Sequence, residues 1–229
     1  MYNPDNRKII VSMTSWPKRI EQAYNTIESI FNGTILPDYF VLNLSLDEFP
    51  NREKDLPNSL ILLAQNNKSF ILNFVEGNTR TFKKIIPTIQ LFMDKGNYYI
   101  ITVDDDKLYS SNFIDIMVST ISSLPSDCGS FCPSIVNIQG WFTIYKSEIF
   151  KQDLWNKLTD EVIQYGVDDE YYDYYLNEHH VKMYHFNGGV PVSHIGLYIQ
   201  CKEPFPLHDE YLSGNRLMNA KESIRKIKF

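Results

Sequence analysis

Three consecutive aspartates, Asp104, Asp105 and Asp106, directly follow an apolar run at residues 97–103. Carboxylates a few ångströms apart repel one another by about 4 kcal/mol per pair at an effective dielectric constant of about 20. A cation relieves that repulsion, and carboxylate oxygen suits Mg²⁺ or Mn²⁺, which often keep coordination positions open for substrate phosphates. The aspartates therefore predict a divalent-cation site, with a solvated acidic turn as the alternative.

A second acidic pair, Asp168 and Asp169, begins a Tyr-rich segment at residues 168–176 that is typical of a helix. Negative charge is favourable at a helix N-terminus, so the pair needs no function beyond capping. If this helix faces the same crevice as the three aspartates, either carboxylate is also a candidate general base. Both interpretations remain open at this point.

Basic and aromatic candidates lie elsewhere in the chain. Arg80, Lys83 and Lys84 precede or open an apolar helical pattern, where they either neutralise a diphosphate or are simply exposed. Trp16 either stacks on a flat base or packs in the core. The histidines show no metal-ligand spacing among themselves, but His194 follows an apolar run and is a candidate for completing a metal site. The cluster of four tyrosines within residues 171–175 lines a sugar site or serves packing.

The elements that must position these residues alternate between strand and helix. Strands are predicted at residues 8–14, 39–45, 69–75 and 97–103, with helices at residues 20–31, 59–65 and 82–93. Ser15 and Pro17 give a helix-start signal, and Pro87 marks a kink or a first turn. The alternation predicts an α/β fold with a mainly parallel sheet flanked by helices. Ligands bind at the carboxyl ends of such strands, so Thr14, Asp47 and the three aspartates are expected to converge.

The second half of the chain is predicted to extend the same sheet in a single domain. It carries a helix to about residue 123, a strand at 141–145, the Tyr-rich helix, and short strands at 181–186 and 190–195. The basic tail at residues 219–228 is predicted to be frayed. The alternative is a short amphipathic segment in peripheral contact with a membrane. The cysteines are an odd set of three and are expected to be reduced structural thiols.

Composition excludes several classes of protein. With 229 residues and 43% hydrophobic residues, the chain matches an ordinary globular protein with a sizeable core. A net charge of −6 provides no broad positive field, so nucleic acid is not expected as a partner. The chain has neither a long apolar run nor a signal-peptide pattern at its start, and we expect a cytoplasmic protein with the basic tail as its candidate membrane contact.

Three segments carry a resemblance to a known family. They are residues 10–20 (Ile-Val-Ser-Met-Thr-Ser-Trp-Pro-Lys-Arg-Ile), 81–88 (Thr-Phe-Lys-Lys-Ile-Ile-Pro-Thr) and 103–109 (Val-Asp-Asp-Asp-Lys-Leu-Tyr). In this order they resemble the nucleotide-sugar glycosyltransferases of the GT-A fold, nearest to family-2-like bacterial enzymes of surface-polysaccharide synthesis. The resemblance covers residues 8–112 and, more loosely, 140–176.

The resemblance implies a GT-A (Rossmann-like) fold, a nucleotide-sugar donor such as a UDP-sugar, a glycan or lipid-linked glycan acceptor, and Mn²⁺ or Mg²⁺. Asp104 and Asp106 match the Asp-x-Asp metal pair, the second being the direct ligand. Asp169 or Asp168 matches the base of an inverting enzyme. The acceptor-side glycine-rich segment is reduced to residues 140–142, which leaves the acceptor class undefined. The implied donor-binding residues are Thr14, Trp16, Arg19, Asp47, Arg80, Lys83, Lys84 and Asp105.

Three other functions remain open. A nucleotidyltransferase shares the sheet, metal and nucleotide, but it needs a glycine-rich basic loop after the first strand, and residues 13–17 contain no glycine. A non-catalytic sugar-binding or assembly module would use the acidic pairs only as caps. A glycoside hydrolase using Asp106 and Asp169 is the most distant alternative, because it has no use for a nucleotide crevice.

Overall fold

The computed structural model describes residues 3–133, 142–185, 198–200 and 216–228. The strands are β1 (Lys8–Thr14), β2 (Tyr39–Ser45), β3 (Phe70–Val75), β4 (Tyr98–Thr102), β5 (Lys107–Tyr109), β6 (Cys128–Cys132), β7 (Ile144–Lys146), β8 (Lys182–His185) and β9 (Tyr198–Gln200). The α-helices are α1 (Ile20–Phe31), α2 (Asn58–Asn66), α3 (Ile86–Phe92), α4 (Phe113–Ser123), α5 (Asp153–Asn156), α6 (Asp160–Tyr165), α7 (Asp168–Glu178) and α8 (Arg216–Arg225). Short 3₁₀ helices cover Arg52–Asp55, Arg80–Lys84 and Ser147–Ile149.

Of the strands that the structure describes, seven form one mixed sheet in the order β3-β2-β1-β4-β7-β6-β8, and β5 pairs with β9 in a separate antiparallel ribbon. Strands β1 to β4 are parallel to one another, whereas β7 runs antiparallel to both of its neighbours, β4 and β6. The predicted α/β class with a mainly parallel sheet flanked by helices is confirmed, as is the extension of the sheet by the second half. The predicted strand at residues 190–195 lies outside the described residues.

Alternating side chains of the central strands feed two hydrophobic cores, one on each face of the sheet. On β1, Ile9, Val11 and Met13 pack with α1, α2 and α4, while Ile10 packs on the opposite face with α3 and α7. Both faces are covered, which is why the central strands read as continuous apolar runs rather than as alternating ones.

The chain order places a topological switch between β1 and β4. From β1 the chain moves outward through β2 to β3 and then returns to the other side of β1 as β4. Ligands bind outside the carboxyl ends of the strands at such a switch point, because the connections diverge there and leave a crevice. The residues after β1 and β4 are therefore the ones that the fold presents to a ligand.

The predicted helix at residues 20–31 is confirmed by α1, whereas the predicted helix at residues 82–93 begins later, at Ile86. The helix-start signal at Ser15 is not used, because the Ser15 hydroxyl donates to the carboxylate of Asp105 instead of capping a helix. Pro87 lies in the first turn of α3, after the separate 3₁₀ helix, so the first-turn interpretation of this proline is confirmed.

The C-terminal segment is a packed helix, and the prediction of a frayed tail was wrong. Ala220, Ile224 and Ile227 are buried in the core on the α7 side of the sheet. The Ser223 hydroxyl donates to a carboxylate oxygen of Glu161 at 2.6 Å. Because Ile224 and Ile227 face the interior, they are not available as lipid-facing side chains.

The described cysteines are buried thiols. Burial raises the pKa of the Cys128 thiol to about 11, so it is protonated and unreactive at neutral pH. The buried Cys132 thiol lies 3.8 Å from the Phe142 carbonyl oxygen. Cys201 lies outside the described residues. Among the described helices, none has the length and apolar character needed to cross a bilayer.

A buried polar network ties β1, β2 and β3 to the 3₁₀ helix that carries the basic residues. The Ser12 hydroxyl lies 2.6 Å from both the Lys84 carbonyl oxygen and the Thr88 hydroxyl. The Asn43 amide donates to Thr88 at 2.8 Å and accepts from Asn73 at 2.8 Å. Buried polar groups of this kind specify one arrangement when their hydrogen bonds are made. The network therefore fixes the backbone of Lys84 against the centre of the sheet.

Replacing Ser12 by alanine is expected to lower the free energy of unfolding by about 1–3 kcal/mol, because the Lys84 carbonyl loses its buried hydrogen-bond donor. Chemical denaturation measures this change. The matched control is Ser123→Ala, which removes an exposed hydroxyl that bonds a helical carbonyl and is expected to change stability by about 0.5 kcal/mol or less. Equal changes for the two variants would show that the network does not stabilise the fold.

Candidate active site at the carboxyl edge of the sheet

The buried pair Arg19 and Asp105 joins the loop after β1 to the end of β4. The Arg19 guanidinium Nη1 donates to Asp105 Oδ1 at 3.0 Å, and the Ser15 hydroxyl donates to Asp105 Oδ2 at 2.7 Å. Burial raises the pKa of Asp105, although Arg19 and Ser15 both favour the ionised form. Both oxygens of this carboxylate are thus used inside the protein, where they hold the loop of residues 15–19 against β4.

Asp104 is the most exposed of the three aspartates, with 19% of its side chain accessible. Its Oδ1 accepts from the Lys84 ammonium at 2.6 Å, and its backbone N–H donates to the Tyr109 hydroxyl at 3.0 Å. Burial disfavours the charged form of Lys84, but the carboxylates of Asp104 and Asp168 outweigh it and raise the pKa of the ammonium. Lys84 is therefore a permanent cation at this edge.

Helix α7 brings the second acidic pair to the same cation. The charges of both Asp168 and Asp169 act on the Lys84 ammonium, and the charge of Asp104 acts on Asp168. The helix N-cap is Val167, with no side-chain capping bond, so neither aspartate serves as the cap residue. Asp168 and Asp169 thus lie near Lys84, the lysine that also pairs with Asp104.

The acidic pair is strongly perturbed. Burial raises the pKa of Asp169 to about 7, the charge of Asp168 adds to the shift, and the backbone N–H of Glu170 opposes it. Burial also raises the pKa of Asp168, against the charge of Lys84 and a hydrogen bond from Thr81. A carboxyl group that titrates near neutral pH is suited to accept a proton from a hydroxyl.

Lys83 and Asp47 belong to a neighbouring cluster after β2. The Lys83 ammonium donates to a Glu48 carboxylate oxygen and to Asn78 Oδ1, both at 2.7 Å. Burial lowers the pKa of Lys83, while Glu48 and Asp47 oppose that shift. Lys83 and Lys84, although adjacent in sequence, thus form ion pairs at different strand ends, Lys83 after β2 and Lys84 after β4.

The structure separates the three basic candidates. Among the described contacts, Lys84 is the one of the three that forms an ion pair with an aspartate of the 104–106 run, Asp104, whereas Lys83 pairs with Glu48 after β2. Arg80 is exposed and begins the 3₁₀ helix with a left-handed φ of 53°. Its backbone N–H donates to Asn78 Oδ1 at 2.9 Å, which holds this turn in place.

Thr14 and Trp16 stand at the end of β1. The Thr14 hydroxyl donates to the Asn43 carbonyl at 2.9 Å and so holds β1 to β2. The Trp16 ring is half-buried, with the Lys18 ammonium 5.2 Å from its centroid. Among the residues that the structure describes, the buried Trp16 indole nitrogen has no hydrogen-bond partner. An unpaired buried donor at a strand end suits a ligand that offers an acceptor.

The tyrosine cluster serves packing. Tyr171, Tyr172 and Tyr175 are almost fully buried, and their hydroxyls donate to backbone carbonyls. The Phe82 ring makes edge contacts with Tyr171 and Tyr172, and its carbonyl accepts from the Tyr172 hydroxyl. These contacts position α7 against the segment that carries Lys84.

The described side chains fit a divalent cation poorly. Asp106 Oδ1 accepts from the Lys107 ammonium at 2.7 Å, and Asp106 Oδ2 accepts from Arg19 at 3.3 Å. In the described part of the chain, no three His, Cys, Asp or Glu side chains form a metal-binding group, and His194 lies outside that part. Residues 140 and 141 of the acceptor-side segment also lie outside it. Lysine and arginine side chains of the chain itself thus form ion pairs with both carboxylates of the Asp-x-Asp pair.

Lys107 is the site residue that sequence reasoning missed. A lysine next to three aspartates reads as one more exposed charge, but its side chain is only 7% accessible. The available signal was its position directly after an acidic run that ends a buried strand.

Comparison of the chain with protein-family models and with curated proteins finds no match.

Asp169→Asn is expected to stabilise the fold at alkaline pH. The native pKa of about 7 exceeds the ordinary value of 3.8, so the native state binds more protons than the unfolded chain between these values and stability falls as pH rises through them. Because the variant removes this loss, its free energy of unfolding is expected to exceed that of the natural protein by an amount on the order of 2 kcal/mol at about pH 8 and by much less at about pH 4.

Denaturant titration at the two pH values measures this difference. The control is Asp160→Asn, which changes an exposed aspartate in the first turn of α6. A gain for Asp169→Asn that is independent of pH would contradict the raised pKa.

Proposed function

We propose that the protein is a glycosyltransferase of the GT-A fold that moves a sugar from a nucleoside diphosphate donor, taken first as a UDP-sugar, to a hydroxyl of a glycan or lipid-linked glycan. The reaction belongs to the synthesis of cell-surface polysaccharide. The observation that carries the proposal is the grouping of Asp104, Lys84 and the perturbed pair Asp168 and Asp169 at the switch point of the sheet.

The proposed chemistry is one direct displacement. The acceptor oxygen attacks the anomeric carbon of the donor sugar, and the bond from that carbon to the diphosphate oxygen breaks. Asp169 takes the acceptor proton, for which a pKa of about 7 is well matched at neutral pH. The nucleoside diphosphate leaves with its new negative charge near the Lys84 ammonium, which stabilises the departing group. Displacement in one step inverts the anomeric configuration.

Several features support donor binding at this edge. The unpaired Trp16 indole nitrogen and the half-buried ring lie at the end of β1, where a base can stack and accept a hydrogen bond. The loop of residues 15–19 is fixed by Arg19 and Asp105, so this surface is preformed. The proposal requires no metal ion, because Lys84, Arg19 and Lys107 already supply positive charge beside the Asp-x-Asp pair.

The test is a product assay with UDP-, GDP-, CDP- and ADP-linked sugars. We expect one donor to yield a nucleoside diphosphate, whereas a nucleotidyltransferase would release pyrophosphate. Asp169→Asn is expected to lower kcat by about 10²–10⁴-fold, because the acceptor proton loses its base, while Asp160→Asn retains activity. No turnover with any donor, in Mn²⁺ or in EDTA, would favour a binding module instead.

The pH profile gives an independent prediction. The groups that act on Asp169 are Asp168, Glu170 and Lys84, with Asp104 acting on Asp168. We expect kcat/KM to rise with pH through about 7 and then level, as the base ionises. In Lys84→Met the rise is expected at higher pH, because Lys84 lowers the pKa of Asp169. Stopped assays across pH measure both profiles, and identical midpoints would contradict the electrostatic coupling.

A further inference from the structure

The Lys107 ammonium lies between the two carboxylates of the Asp-x-Asp pair. Its Nζ is 2.7 Å from Asp106 Oδ1 and 3.8 Å from Asp104 Oδ2. Both Lys107 and Asp106 are buried, with 7% of each side chain accessible. A cation bound by both carboxylates would occupy this position.

The backbone holds Lys107 at this place. Its carbonyl oxygen accepts from the Thr26 hydroxyl of α1 at 2.8 Å, and β5 pairs with β9 in the register of Lys107 with Gln200. Two residues on, the Tyr109 N–H donates to the Ser29 hydroxyl at 3.0 Å. Because strand β5 is fixed to α1 at two points, the ammonium has little freedom to leave the acidic pair.

A divalent cation would have to displace this ammonium. A displaced buried lysine loses its partner, and breaking a buried ion pair is strongly unfavourable. If the ammonium stayed, it would repel the metal ion across a few ångströms in a site from which water is largely excluded. The second oxygen of Asp106 accepts from Arg19, so both oxygens of this carboxylate already pair with cations of the chain.

We propose that Lys107 is a built-in cation that takes the place of a divalent metal ion between Asp104 and Asp106 and excludes one from that position. The inference goes beyond the proposed glycosyl transfer and stands or fails without it. If both hold, the nucleotide site works with the ammonium and guanidinium groups of the chain, and donor binding persists in EDTA.

The experiment is calorimetric titration of the protein with Mn²⁺ alone. We expect no uptake by the natural protein or by Lys107→Arg, which keeps the charge. Lys107→Met is expected to bind one Mn²⁺ at least roughly a hundredfold more tightly, since it removes a unit charge beside the ion. Adding Asp104→Asn to Lys107→Met is expected to abolish that uptake. Lys54→Met, which removes an exposed lysine, is the control for a general loss of positive charge.

Two results overturn the proposal. One is uptake of Mn²⁺ by the natural protein that Asp104→Asn or Asp106→Asn removes. The other is a folded Lys107→Met that takes up no Mn²⁺, which would show that the ammonium is not what excludes the ion. Circular dichroism and thermal unfolding establish that each variant is folded. Lys107→Gln, which is neutral but still able to hydrogen-bond Asp106, replaces Lys107→Met if the methionine variant does not fold.

Discussion

The arrangement of buried charge at the carboxyl edge of the sheet is the constraint on which the rest of the site depends. Asp104, Asp105 and Asp106 face the cations Arg19, Lys84 and Lys107, which come from the loop after β1, the 3₁₀ helix before α3 and the start of β5. Buried charges cost several kcal/mol each unless they are paired. Each pairing therefore fixes the loop or helix that supplies the cation, and the sheet end becomes rigid.

Within the described part of the chain, the acidic pair Asp168 and Asp169 on α7 is not matched by a cation of its own. Lys84 is already shared with Asp104, so Asp168 and Asp169 are only partly compensated, and burial dominates the shift of both pKa values. Such a pair weakens the fold at neutral pH and supplies a proton acceptor there. Under the proposed function this loss of stability accompanies the base that the reaction needs, and it is confined to the first turn of one helix.

Much of this architecture follows from local sequence pattern. Strands β1 to β4 were predictable because each is a short apolar run, and parallel strands bring their carboxyl ends to one edge. The residues that pair with the charged side chains were not predictable in this way. Nothing local indicates that Ser15 binds Asp105 rather than capping α1, or that Lys107 turns inward. The basic tail was misread because Ile224 and Ile227 find their apolar partners on α6 and α7 only after folding. Pairings between distant segments depend on the packed tertiary structure, which periodicity does not encode.

The central claim is that this edge binds a nucleoside diphosphate through Lys84. Calorimetric titration of the protein with UDP, GDP, CDP and ADP, in Mn²⁺ and again in EDTA, tests it most directly, with Lys84→Met and Lys54→Met as the paired variants. The account predicts that one diphosphate binds under both conditions, that Lys84→Met weakens its affinity by about tenfold or more, and that Lys54→Met leaves it unchanged. Absence of binding by all four nucleotides, or equal affinity in a folded Lys84→Met, would contradict it.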